Sequence, residues 1–159
     1  MGYYLLFLGM RLSTKGKYAL IAMAYIARKD FNSNVSVSEI SNKTGISQTY
    51  LEQLFMKLRK ASLVKAVRGA SGGFSLNSHP KNIRIHDIME AVDENFAAIS
   101  INDKIETNIL PKPFELVLTE KFWEQFSSQV YLFLHTISLE DVASDSMEPC
   151  QAVSSFAQA

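Results

Sequence analysis

Thiols are nearly absent from this chain: a single cysteine, Cys150, stands among 159 residues. One cysteine excludes an intramolecular disulfide framework, and a reducing cytoplasm is the simplest setting. Long hydrophobic runs are missing too. The apolar cluster at residues 3–8 is far too short to span a bilayer and lacks the charged start of a signal peptide, so no membrane association is expected. Met10 reads as the functional start, with residues 1–9 an apolar leader; alternatively the leader packs as an extra arm. Catalytic groupings are also lacking. His79, His86 and His135 are scattered, with no Ser/His/Asp or Cys/His arrangement and no metal-ligand spacing, so neither an enzyme nor a metal site is expected. Residues 69–73 are glycine-rich but lack the lysine and helix that follow a phosphate-binding loop.

Net charge is the last thing missing, and here the average misleads. Sixteen basic residues balance sixteen acidic ones. Residues 10–81 carry twelve Lys and Arg against three Asp and Glu, whereas residues 82–159 carry four against thirteen. The first part is a candidate for binding a polyanion and the second is not, although an acidic half could also serve to neutralise a basic one. Hydrophobic residues make up 47% of the chain, enough for a core in one domain with an appended element.

What is present centres on SQTYLEQLFMKLRKA, residues 47–61. Leu51, Leu54, Phe55 and Leu58 recur at the spacing of one helical face, which predicts a helix of about four turns with its apolar stripe turned to a core. The other side carries Gln48, Thr49, Glu52, Gln53, Met56, Arg59 and Lys60, a set able to meet base edges and phosphates. Ser47 suits the N-cap, and Gly45 suits the position just past a preceding helix. That preceding helix starts with Ser36 and Glu39 in the form of a capping box and runs to about residue 43. A short helix, a turn and a longer helix with a polar outer face is the helix-turn-helix arrangement.

Around this pair the pattern is equally directional. Residues 14–28 predict a helix apolar nearly all round, the centre of the core, with Lys15 and Lys17 in its first turn open to phosphate or to solvent. Short strands are predicted at residues 63–67 and 74–76, joined by the glycine-rich turn, which makes a wing. Arg68 at the strand end could reach a narrow minor groove. A short amphipathic helix follows from residue 85, with His86 read as a surface side chain. Residues 95–113 read as a connecting loop. Residues 114–138 then predict a helix about 35–40 Å long. Trp123, Phe126, Val130, Phe133 and Ile137 fall at the spacing of a two-helix seam, a stripe that suits a dimer interface or packing on its own domain. The segment beyond residue 142 is polar and is expected to be disordered. The fold class is therefore mainly α with a small β-hairpin wing. Its divisions are a winged helix-turn-helix domain at residues 10–81, a short helix and loop at 82–113, a dimerisation helix at 114–142 and a tail at 143–159.

In this order of elements the chain resembles the Rrf-two family of winged-helix transcription regulators, which includes iron-sulfur cluster regulators. The resemblance rests on MRLSTKGKYA at 10–19, EIS at 39–41, GIS at 45–47, YLEQLF at 50–55, LRK at 58–60, LV at 63–64, VRG at 67–69, GG at 72–73 and AVDE at 91–94. ISLEDV at 137–142 is a weaker echo. The resemblance implies a homodimer whose two recognition helices and two wings read a palindromic site in double-stranded DNA. It implies base reading by Glu52, with Ser47 and Gln48 beside it in the major groove and Arg68 in the minor groove. Lys15, Lys17, Lys57, Arg59 and Lys60, with Tyr50 and Ser71, are the expected phosphate contacts. Cluster-bearing members place three cysteines in the interval that is residues 95–113 here, and none is present, so no cofactor is expected. Asp103, Glu106 and Asn108 in that interval offer only oxygen, the donor set of a hard cation or of a solvated loop. The expected function is a cytoplasmic regulator, a repressor that covers a promoter. The alternatives are a regulator of the same fold that docks a partner protein through its acidic half, or a degenerate iron-sulfur sensor.

Overall fold

A computed structural model describes residues 13–93, 111 and 113–147. The expectations for the leader, for the loop polars Asp103, Glu106 and Asn108, and for Cys150 lie outside those residues. The described chain runs α1 (Thr14–Ala27), α2 (Val37–Thr44), α3 (Gln48–Lys60), β1 (Val64–Val67), β2 (Gly73–Leu76), a single 3-10 turn (Pro80–Asn82), α4 (Ile85–Ala91), α5 (Phe114–Thr136) and α6 (Leu139–Ala143).

The helix boundaries follow from side-chain chemistry. Ser36 accepts the Glu39 amide at 3.1 Å and starts α2. Gly45, at φ 73°, ends it, its N–H donating to Ser41 O at 2.9 Å in a conformation that costs other residues a Cβ clash. Two residues later Ser47 accepts the Tyr50 amide at 3.3 Å and starts α3. Between the two caps Ile46 is buried and pins the turn to the core.

Leu51, Leu54, Phe55 and Leu58 of α3 are all buried, as their spacing predicts. They meet Ala19, Ala22, Met23 and Ile26 of α1, and Ile88 and Met89 of α4, in one cluster. The Phe55 ring stacks on Phe74 of β2 with centroids 4.5 Å apart, which seats the wing on the recognition helix. β1 and β2 pair antiparallel from Val64 opposite Leu76 to Val67 opposite Gly73. Only the base of this hairpin is buried, and its tip stands in solvent. A third segment joins the base, where Val35 and Phe74 exchange backbone hydrogen bonds of 2.9 and 2.8 Å.

Helix α1 lies in the core as expected, with Ala19, Ala22, Met23 and Ile26 buried, and Ile21 is its exposed large apolar residue. Two readings need correction. His86 is not a plain surface residue: its side chain is 22% exposed and its ring lies 3.7 Å from that of His135 and 5.2 Å from that of Tyr131, where α4 meets α5. Most consequentially, the long helix stops at Thr136. Ile137 is extended, packs on the core and accepts the Ile85 amide at 3.1 Å, so it leaves the proposed seam. Ser138 and Asp141 form a capping box that starts α6, which folds back on α1 and buries Leu139. A heptad count runs through residue 137 because it weighs apolar spacing and is blind to a cap.

Candidate nucleic-acid interface

The outer face of α3 is built by exclusion. Once four apolar residues have turned inward, Gln48, Thr49, Glu52, Gln53, Met56, Arg59 and Lys60 have to point out, and all seven are exposed. Ser47 does two things at the helix start. Its oxygen lone pair takes the Tyr50 N–H, and the hydroxyl proton stays available to a phosphate or base acceptor. Tyr50 is half-buried and packs edge-on against Tyr18 of α1, with ring centroids 5.7 Å apart.

Arg59 and Lys60 lie in the last turn of α3, where cations complement the helix dipole. Lys15 and Lys17 lie in the first turn of α1, where no acidic residue accompanies them. Cations at a helix start oppose the local dipole, so a bound polyanion would offset a cost these lysines otherwise carry. Lys57 differs from the rest. Its ammonium pairs with the Asp93 carboxylate at the end of α4, 36 residues away in sequence. Lys57 beside it, with Lys15 and Lys60 further off, holds the Asp93 carboxyl below the usual carboxylate range. Asp93 sits at φ 58°, a left-handed conformation that Asp tolerates better than most residues. Sequence reasoning missed this partner, because nothing in a local pattern joins positions so far apart.

The wing presents Arg68, Gly69, Ala70 and Ser71, all exposed, at its tip. The turn closes through the Gly72 N–H donating to Gly69 O at 2.9 Å. Below it the approach is close. A Cβ on Gly73 would lie 2.4 Å from Val35 O, so no side chain fits there. The helix pair and the wing thus share one frame, and the predicted readers Ser47, Gln48 and Glu52 stand on one exposed element while Arg68 stands on the other.

Behind this face Tyr25 of α1 and Lys29, just past its end, hold α2. The Tyr25 hydroxyl donates to Glu39 Oε1 at 2.8 Å and Lys29 Nζ lies 3.0 Å from the same oxygen. The Tyr25 hydrogen bond, then the Lys29 one, keeps the Glu39 carboxyl below its usual range.

Helix α5 presents a contrasting surface. At its C-terminal end Tyr131 and His135 face His86, and Arg84 Nη1 donates to Thr136 O at 3.1 Å. Of the predicted seam, Trp123 and Phe133 are exposed while Phe126 and Val130 are half-buried. Phe114, Leu118 and Phe122 are exposed as well, and with Phe126 and Val130 they recur at intervals of four. That run carries apolar surface a further two turns toward the helix start, winding about 160° round the helix as it goes. The signal was in the sequence, at a spacing the heptad template does not count.

Among the described residues no helix is long and apolar enough to cross a membrane, and no group of three His, Cys, Asp or Glu is placed to hold a metal ion.

Comparison with known proteins gives the arrangement a lineage. The family profile Rrf2, described as an iron-dependent transcriptional regulator, matches residues 12–145. The HTH-type transcriptional regulator IscR of Cereibacter sphaeroides is 43% identical over 146 residues, which is 91% of this chain and 94% of that protein. IscR of Vibrio vulnificus is 40% identical over 136 residues, covering 86% and 79%. Among solved structures, CymR, the global cysteine regulator of B. subtilis, superposes with a TM-score of 0.70 at 32% identity, covering 85% of this chain and 97% of that one. IscR of T. potens gives 0.68 at 32% identity, covering 91% and 97%. These relatives are regulators and not enzymes, and they share the winged helix-turn-helix. With its capped helix pair, its glycine-tipped wing and a profile match over most of its length, the chain belongs to the Rrf2 family of DNA-binding transcriptional regulators.

Proposed function

We propose that this regulator acts in the cytoplasm as a homodimer, reads a palindromic operator and represses by covering it. The observation that carries the reading is the pair of unlike surfaces: a polar, cation-flanked face on α3 and an apolar face on α5. Two copies joined along α5 would present two copies of α3 and two wings related by a two-fold axis, the symmetry of a palindrome. Ser47, Gln48 and Glu52 would face base edges, with Glu52 accepting from cytosine N4, and Arg68 would enter the minor groove. Lys15, Lys17, Arg59 and Lys60, with Tyr50 and Ser71, would hold phosphates. Lys57 would do so on leaving Asp93.

The reading includes no iron-sulfur cluster. Clusters are held chiefly by cysteine thiolates, and Cys150 is the single thiol of the sequence. We therefore assign regulation to something other than a cluster.

The test is selection of bound duplexes from a random library by the purified, metal-free protein, followed by fluorescence anisotropy at rising salt. A palindromic sequence bound with a steeply negative salt dependence is the expected result. Recovery of no sequence preference at any salt would reject the reading.

A further inference from the structure

Of the seven residues on the outer face of α3, six are polar or charged; the exception is Met56. It is 72% exposed, well above Ile21, Phe31 and Val67, the other large exposed apolar residues of the described body up to residue 93. Single exposed apolar side chains are ordinary on a protein surface. This one stands one helical turn beyond Glu52 and one before Lys60, between the expected base reader and the expected phosphate contact. The major groove offers an apolar partner at one place, the C5 methyl of thymine. An unbranched thioether can adjust to such a methyl without a fixed rotamer.

We infer that Met56 is a specificity-determining residue that packs on a thymine methyl. The inference rests on the proposed DNA-reading role of α3. It also fixes a position. Four residues advance a helix by about 6 Å, and base pairs are spaced by about 3.4 Å, so for a helix lying along the groove the thymine falls about two base pairs from the pair that Glu52 reads.

Uracil is thymine without that methyl, which allows a clean test on the full-length protein. In the selected operator each thymine of one half-site is replaced in turn by deoxyuridine, and affinity is measured for the wild type, Met56→Ala, Met56→Leu and Glu52→Ala. One thymine should cost the wild type about fourfold in affinity when its methyl is removed, in keeping with one buried methyl-sized contact. Met56→Ala should bind the thymine duplex about fourfold more weakly and be indifferent to that substitution, and Met56→Leu should retain the sensitivity. Glu52→Ala should relax selection at a pair within about two positions of it. An equal uracil effect in wild type and Met56→Ala at every position would overturn the inference, as would a coupled thymine more than about four pairs from the Glu52 position. Failure of the wild type to select any sequence is a different result and would remove the DNA-reading role itself.

Discussion

The body that ends at Asp93 and the helix α5 handle apolar residues in opposite ways. In the body, α1, α3 and α4 each turn an apolar stripe inward and α2 adds Ile40, and the surface left over on α3 is mostly polar. In α5 no described side chain is buried, and Phe114, Phe122, Trp123, Tyr131 and Phe133 are exposed. The difference teaches that one region covers most of its large apolar side chains within a single chain, while the other holds apolar area that one copy does not cover. A patch of this kind marks an interaction site rather than a core.

The contrast can be broken most forcefully from inside the body. Phe55→Ala should cost about 3–5 kcal/mol in urea denaturation, because it removes a fully buried ring stacked on Phe74. Replacing Phe122 and Trp123 together by Glu should leave the body's circular dichroism intact and weaken self-association by at least about thirtyfold in sedimentation equilibrium. A double variant that dimerises as well as the wild type would move the interface off this face. A smaller effect is expected at the reading face, where Glu52→Ala should lose about 1–3 kcal/mol of discrimination at one base pair in a binding scan.

Screening separates the cations. Arg59→Ala should lower the slope of log K against log salt by about 0.9. Asp93→Asn frees Lys57 and should steepen that slope, and an unchanged slope would place Lys57 away from the duplex. The mildest effect concerns pH. The Glu39 carboxyl titrates below its usual range in the folded protein, so its contribution is present above that range and is lost as pH falls through the lowered value. Tyr25→Phe should raise that value toward normal and cost less than about 1 kcal/mol at neutral pH, since solvent reaches more than a third of the Glu39 side chain and screens it. Denaturation between about pH 3 and 7 checks the sign.

Much of the exposed face of α3 was legible in the sequence because local signals agreed there. Ser36, Gly45 and Ser47 mark the helix ends through hydrogen bonds spanning three or four residues, and the four-residue apolar stripe orients α3 without knowledge of its neighbours. What was not legible depends on distance along the chain. The pairing of Lys57 with Asp93, the bridge from Val35 to Phe74 and the contact of His86 with His135 each join residues that no local pattern relates. The end of α5 is an intermediate case. The Ser138 and Asp141 cap was present in the sequence, but the apolar repeat ran through it and took precedence.

The close approach of Gly73 to Val35 has a mechanical meaning. With the Phe74 N–H and C=O both bonded to Val35 and no room for a side chain on Gly73, the wing is tied at its root to the segment that leads into α2. On the proposed reading, the gap between the jaw that carries Glu52 and the jaw that carries Arg68 would then be set at that root, like the opening of a calliper. Duplexes whose two grooves already stand at that spacing would be the ones expected to seat with least bending.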